Sequence, residues 1–71
     1  MANKFGQFNS IRAINDACWS AAVGSGRYIF TQVEGEKMRI VRARTTRGVL
    51  QVRTLGGSWR TMQEGSEVYR E

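Results

Sequence analysis

The stretch of this chain that most constrains its fold runs over residues 37–63, which reads as two consecutive β-hairpins. Apolar and β-branched residues alternate there with turn residues, a pattern typical of short antiparallel strands. A four-residue connection ending at Gly48 joins the first pair of strands, because its last position requires the left-handed conformation that glycine adopts freely. Gly56-Gly57 joins the second pair as a two-residue type I′ turn, in which both central residues have positive φ.

These turns predict a register, and the register sorts the side chains between the two faces of the sheet. It places Arg42 opposite Gln51 and Arg53 opposite Arg60. Because a one-residue slip would bury arginine, the pattern favours this register. The predicted core face comprises Val41, Ala43, Leu50, Val52 and Trp59. The opposite face has arginines at its centre and also carries Met38, Ile40, Gln51, Leu55 and Met62.

A helix is predicted before the sheet. Asn9 or Ser10 can accept hydrogen bonds from the first free N–H groups of this helix. An apolar stripe through Ile14 and Cys18 has helical spacing. Gly24 follows the last periodic residue, at the position where glycine commonly ends a helix.

The run over residues 27–34 is rich in aromatic and β-branched residues and predicts a further strand. A turn at Gly35-Glu36 would pair this strand with the first strand of the two hairpins. Phe30 and Tyr28 would then join the predicted core face.

The predicted fold class is α+β, with one N-terminal helix packed on a four-stranded antiparallel meander. A small SH3-like barrel is the alternative, because short strands with glycine turns and the late Val68-Tyr69 pair can close one. Seventy-one residues make one small domain. Residues 1–8 are expected to form a loose lead-in, with Phe5 and Phe8 as anchors. Residues 64–71 form an acidic tail that either adds an edge strand or frays.

The residue inventory argues against catalysis and against a metal or cofactor site. There is no histidine and Cys18 is the only cysteine, which excludes an intrachain disulfide and a Cys/His zinc site. No stretch approaches the roughly 20 apolar residues of a membrane span, and no signal peptide is visible. We therefore expect a non-enzymatic, cytoplasmic protein that uses no cofactor and contacts no membrane.

Charge is the most informative signal for function. The chain has eleven basic and six acidic residues, and seven of the basic but none of the acidic residues lie in residues 37–63. Such segregation produces the local positive field of a polyanion-binding surface. Arginine also forms bidentate contacts with phosphates, base edges and carboxylates. The predicted surface for nucleic acid or an acidic partner comprises Arg39, Arg42, Arg44, Arg47, Gln51, Arg53 and Arg60.

One end of the same predicted face is apolar. Exposed together, its side chains would form a patch that a larger partner or a second copy of the chain would cover, so a homodimer is a further hypothesis. A merely solvated face is the alternative for the arginines, since their aliphatic stems cover apolar neighbours. The predicted apolar interface comprises Ile29, Val33, Met38, Ile40 and Leu55.

In size, in its lack of catalytic groups and in its helix-plus-sheet build, the chain resembles small accessory proteins of phages and plasmids, including inhibitors of host defence such as anti-CRISPR proteins. That resemblance implies an inhibitor that docks on a host protein or ribonucleoprotein and blocks its nucleic-acid channel. The arginine pattern itself favours a small binding module that contacts nucleic acid. Inhibitory docking is the alternative.

Overall fold

A computed structural model describes residues 5–62 and 66–70 of the chain. Residues 1–4 of the predicted lead-in lie outside the described residues. So do residues 63–65 and 71, which belong to the predicted basic stretch and the predicted acidic tail.

The described residues form one helix and five strands. The elements are α1 (Ile11–Ala22), β1 (Ile29–Val33), β2 (Glu36–Thr46), β3 (Val49–Thr54), β4 (Trp59–Thr61) and β5 (Tyr69–Arg70). The strands form one antiparallel sheet in the order β4-β3-β2-β1-β5, which confirms the α+β class with an antiparallel sheet. There are five strands rather than the predicted four, because the chain after β4 returns to pair β5 with β1. β4 and β5 lie at opposite edges of the described sheet, which is therefore open rather than closed into a barrel.

Local chemistry defines both ends of α1. The Ser10 side chain accepts a hydrogen bond of 3.1 Å from the Ala13 N–H and so satisfies one of the free donors of the first turn. At the other end Gly24 has a φ of 81°. The N–H of Ser25 then donates to the carbonyl of Ser20 over 2.8 Å, which is the closing hydrogen bond of a Schellman motif.

Two of the three hairpins turn on an X-Gly pair, and this corrects the predicted register. Glu34-Gly35 connects β1 to β2 and Arg47-Gly48 connects β2 to β3. All four residues have positive φ, between 52° and 78°, as a two-residue type I′ turn requires. The prediction placed the first turn at Gly35-Glu36 and gave the second hairpin a four-residue loop ending at Gly48. Both assignments were wrong, and each displaced the pairing of its hairpin by two residues.

The third hairpin has a three-residue loop, Leu55-Gly56-Gly57, instead of two residues. The Thr54 N–H donates to the Ser58 carbonyl over 3.1 Å, and the Gly57 N–H donates to the Thr54 carbonyl over 2.8 Å. Gly57 alone of the two glycines has positive φ, at 93°, which is typical of three-residue hairpin loops. The extra loop residue shifts β4 by one position relative to the prediction, so every β4 side chain changes face.

The core lies between α1 and the sheet. Ile14 and Cys18 of the helix pack there with Ile29, Ile40 and Val52 of the sheet. Phe8 from the predicted lead-in and Val68 from the predicted tail are also buried in this cluster. Ala43, Leu50 and Val52 therefore belong to the core as predicted. The prediction was wrong for Tyr28, Phe30 and Val41, because β2 has an irregularity between Ile40 and Arg42, and for Trp59, because the third loop has one extra residue.

Asn15 attaches the helix to the middle strand. β2 extends well beyond β1, so the main-chain groups of Ala43 have no partner from β1. The Asn15 side chain takes that place: its Nδ2 donates to the Ala43 carbonyl over 3.0 Å, and its Oδ1 accepts from the Ala43 N–H over 2.8 Å. One amide thus satisfies a donor and an acceptor that burial would otherwise leave unpaired.

We predict that Asn15→Ala lowers the free energy of unfolding by about 2 kcal/mol, because it removes both hydrogen bonds and leaves the Ala43 main chain unpaired beneath the helix. Chemical denaturation followed by circular dichroism measures this. Asp16→Ala is the control, since its side chain is exposed on the same helix and should change stability by less than about 0.5 kcal/mol. Equal unfolding midpoints for Asn15→Ala and the control would contradict this account.

Candidate functional site

A β-bulge in β2 determines which side chains face away from the helix. Ile40 pairs with Thr54 and Arg42 pairs with Arg53, so Val41 is an extra residue in β2. Such an insertion changes the parity of the side-chain alternation along a strand. Arg39 and Arg42, one odd and one even in number, therefore point to the same face of the sheet.

The outer face is defined here as the sheet face turned away from α1. Because of the bulge, the four basic side chains of β2 all lie on it, while Ile40 and Ala43 both point into the core. β3 adds Gln51 and Arg53, the alternates of its buried residues. Among the described residues, five cations and four aromatic rings share the outer face: Lys37, Arg39, Arg42, Arg44, Arg53, Tyr28, Phe30, Trp59 and Tyr69.

Cations lie directly over three of these rings. The Arg39 guanidinium carbon is 3.7 Å from the centroid of Tyr28, and that of Arg44 is 3.9 Å from the centroid of Trp59. Lys37 Nζ is 4.4 Å from the centroid of Phe30. All three distances lie within the range of cation–π attraction. The rings thus hold extended cationic side chains in place on an otherwise solvated surface.

The fourth ring extends the aromatic surface to the edge of the sheet. Tyr69 of β5 stacks on Phe30 of β1, with ring centroids 6.3 Å apart and planes inclined by 28°. Tyr28 is 49% exposed, and Phe30, Trp59 and Tyr69 are each partly exposed. Accessible rings therefore lie on β4, on β5, and on and just before β1.

Hydrogen bonds fix Arg44 in its position over Trp59. Its Nε donates to Gln51 Oε1 over 2.8 Å, and Gln51 Nε2 in turn donates to Thr61 Oγ1 over 3.4 Å. Gln51 is therefore a positioning residue for Arg44 rather than a group free to contact a ligand through that oxygen. Arg39 differs, since its Nε is buried without a hydrogen-bond partner among the described residues, and its contact with Tyr28 holds it.

The centre of the outer face is electrostatically unfavourable in the free protein. Arg42 and Arg53 are directly opposite each other on β2 and β3. Like charges in that relation repel, at a cost of a few tenths of a kcal/mol to about 1 kcal/mol. Residues 37–63 contain no acidic residue to offset this repulsion. A bound anion would relieve it.

The structure brings together five of the seven predicted binding residues and separates two. Arg39, Arg42, Arg44, Gln51 and Arg53 share the outer face. In the predicted register Arg39 alternates in phase with Val41 and Ala43 and would lie on the core side, and that placement was wrong because it did not include the bulge. Arg47 lies in the turn between β2 and β3. Arg60 pairs with Val52 and so projects from the helix side of β4, because the three-residue loop shifts that strand.

The predicted apolar interface does not form an exposed patch. Ile29, Val33 and Ile40 are at most 7% exposed and belong to the core side, and Met38 is only partly exposed. Leu55 is 62% exposed at the tip of the third hairpin. The reason is the bulge: Ile29 shares a face with Ile40, as predicted, but the bulge puts that face on the same side as Ala43, toward the helix.

Sequence reasoning missed the aromatic rings as site residues. It assigned Tyr28, Phe30 and Trp59 to the core and left Tyr69 in the tail. The position of the first turn does not decide their face, because moving it from Gly35-Glu36 to Glu34-Gly35 shifts the pairing by two residues and preserves the alternation. Tyr28 and Phe30 face outward because the bulge puts Arg39, the partner of Phe30, on the opposite face from Ala43. No signal in the sequence marks this bulge.

The surroundings of Cys18 are those of a core residue. Its side chain is buried, and its Sγ donates to the Ile40 carbonyl over 3.6 Å. Burial raises the pKa of the thiol to about 11, although the nearby Arg39 charge acts to lower it. The described residues contain no group of three or more His, Cys, Asp or Glu side chains placed to hold a metal ion.

Comparison with known proteins gives no match to a family model, to a curated protein or to a solved structure. Within the described residues no helix is long and apolar enough to cross a membrane.

We predict that the Cys18 thiol resists modification by Ellman's reagent in the folded protein at pH 8. Its pKa of about 11 leaves little reactive thiolate until the pH rises well above 9, so the reaction should be at least about 100-fold slower than that of an exposed thiol. The same protein in denaturant is the control and should react rapidly. Fast modification without denaturant would contradict the buried placement.

Proposed function

We propose that this protein binds single-stranded nucleic acid on its outer face. The observation that carries the proposal is the interleaving of aromatic rings and cations on one sheet face, with no acidic residue in the stretch that supplies five of the cations. Proteins that bind single strands combine a positive surface, which follows the phosphates, with rings on which bases stack.

Each element of the outer face has a role in this binding. Trp59 and Tyr28 offer stacking surfaces, either directly or through the planar guanidinium groups that lie on them, because bases stack on arginine as well as on rings. Phe30, over which the Lys37 ammonium lies, offers only its ring. Arg42 and Arg53 have the charge to receive a phosphate between them, which replaces their mutual repulsion with two attractions. Gln51 keeps Arg44 extended over Trp59, so less side-chain entropy is lost on binding.

The shape of the face favours a single strand over a duplex. The ring-bearing positions run from β4 to β5, which are four strand spacings apart, or roughly 19 Å. A major groove about 12 Å wide accommodates a two-stranded ribbon, not a five-stranded sheet. Stacked bases inside a duplex also present no faces to protein rings.

Inhibitory docking on a host protein or ribonucleoprotein is the competing hypothesis. It relied on a buried apolar anchor next to the arginines, and Ile29 and Ile40 are in the core instead. The arginines can still pair with carboxylates, but the rings on the same face are better suited to bases. The first hypothesis therefore takes precedence.

Fluorescence anisotropy with a labelled single-stranded oligonucleotide tests the proposal. We predict that Trp59→Ala weakens binding by roughly 10-fold, because one base loses its stacking partner.

Arg53→Ala should weaken oligonucleotide binding and reduce its salt dependence by about one phosphate contact. Arg60→Ala is the matched control, since it removes the same charge from the opposite face of the sheet. Equal losses for Arg53→Ala and Arg60→Ala, or no binding by the parent protein, would refute the proposal.

We further predict that Arg53→Gln changes stability and binding in opposite directions. Removing the repulsion with Arg42 should raise the free energy of unfolding by about 0.5 kcal/mol at low salt, while the lost phosphate contact weakens oligonucleotide binding. Raising the salt concentration should erase the stability gain, since the repulsion is screened. Denaturation of Arg53→Gln and of the control Arg60→Gln, at two salt concentrations, measures this. A destabilised Arg53→Gln protein would show that the two arginines do not repel.

A further inference from the structure

Two neighbouring pockets around the start of β1, together called the groove here, share lining residues. The first part of the groove, of about 450 Å³, is lined by Ala21, Gly24, Gly26, Arg27, Tyr28 and Phe30. Its second part, of about 380 Å³, is lined by Ala17, Ser20, Ser25, Gly26, Arg27 and Arg70. The two parts share Gly26 and Arg27, so a chain-like ligand can pass from one to the other.

The first part of the groove has the form of a base-binding slot. Tyr28 and Phe30, which are rings of the outer face, line it together with Gly24 and Gly26, the glycines that follow α1. Gly24 leaves open space around its Cα, since a Cβ built there meets no atom within 4 Å. A volume of about 450 Å³ falls within the usual range of small-ligand sites.

The second part has the chemistry of an anion site. Arg27 and Arg70 line it from different elements, the loop before β1 and the edge strand β5. The Arg70 guanidinium carbon lies 4.9 Å from the centroid of the Phe8 ring, which holds that side chain against the helix side. Among the described residues, no carboxylate lines either part of the groove. Two arginines that line one pocket without a carboxylate among its lining residues suit a phosphate.

We infer that this groove is a further nucleotide subsite, in which a strand leaving the outer face places a base beside Tyr28 and Phe30 and the adjoining phosphate at Arg27 and Arg70. The inference rests on the proposed function and extends it to a path. The bound nucleic-acid strand crosses the sheet from Trp59 on β4 to β1, at right angles to the β-strands. It then turns around the start of β1 toward the helix side.

This path predicts how affinity depends on oligonucleotide length. The rings at Trp59, Tyr28 and the Phe30–Tyr69 pair provide three stacking positions on the outer face, which match about three nucleotides if each position takes one base. The groove shares Tyr28 and Phe30 with this set and adds the phosphate position at Arg27 and Arg70, which extends the site by about one or two nucleotides. Affinity should therefore rise with length up to about five nucleotides, and then rise only slowly.

Labelled oligothymidylates from about three to about eight nucleotides, titrated by anisotropy, test the inference. Arg27→Ala should weaken binding of the longer oligonucleotides by about tenfold and leave the trimer nearly unchanged. Arg70→Ala should give the same length-dependent loss. Arg12→Ala is the matched control, because it removes one exposed arginine from the same side of the molecule without lining the groove.

The outcomes separate this inference from the proposed function. If Arg27→Ala and Arg70→Ala weaken trimer and octamer alike, their effect is a general loss of charge and the subsite is refuted, while binding on the outer face stands. If neither variant changes any affinity, the subsite is likewise refuted and binding on the outer face still stands. If the parent protein binds no oligonucleotide of any length, the proposed function fails and the subsite fails with it. Circular dichroism confirms that each variant is folded.

Discussion

The β-bulge at Val41 is the constraint on which the outer face depends. Regular alternation along β2 would place Arg39 and Arg42 on opposite faces of the sheet, and one of them would then face the core. The extra residue removes this conflict. Ile40 and Ala43 both point into the core, while Arg39 and Arg42 both point to the outer face. Asn15 supports the same region, because it pairs with the Ala43 main chain where β1 no longer reaches.

The composition of the outer face has an energetic consequence for the free protein. Arg42 opposes Arg53 without an acidic neighbour in the stretch, and rings rather than carboxylates hold Arg39 and Arg44. A surface selected only for solubility would gain from mixed charges. A face that keeps like charges together beside aromatic rings is the arrangement that the proposed single-strand binding requires. Under that proposal, the arginine pair that limits the stability of the free protein would be the one that contributes to binding.

The α+β class could be predicted because it depends on local signals: helical spacing, β-branched runs and glycine turns. The clustering of arginine was also visible, since charge counts do not depend on register. The face of the sheet on which each side chain lies was less predictable. Treating Gly56-Gly57 as a two-residue turn shifted β4 by one position, and period-two alternation turns a one-residue error into an exchange of faces, so Trp59 was assigned to the core when it lies on the outer face. The two-residue errors at the other two turns changed the pairing partners but not the faces. The bulge between Ile40 and Arg42 exchanged the faces of Tyr28 and Phe30, and no sequence signal marks it.

The most direct test uses the two tryptophans of the chain as reporters in NMR spectra. Trp59 lies on the outer face beneath Arg44, and Trp19 is 68% exposed on the helix. During titration with a short single-stranded oligonucleotide, the account predicts that the indole N–H resonance of Trp59 shifts progressively while that of Trp19 stays in place. A shift of Trp19 with an unmoved Trp59, or no shift of either at saturating oligonucleotide, would contradict it.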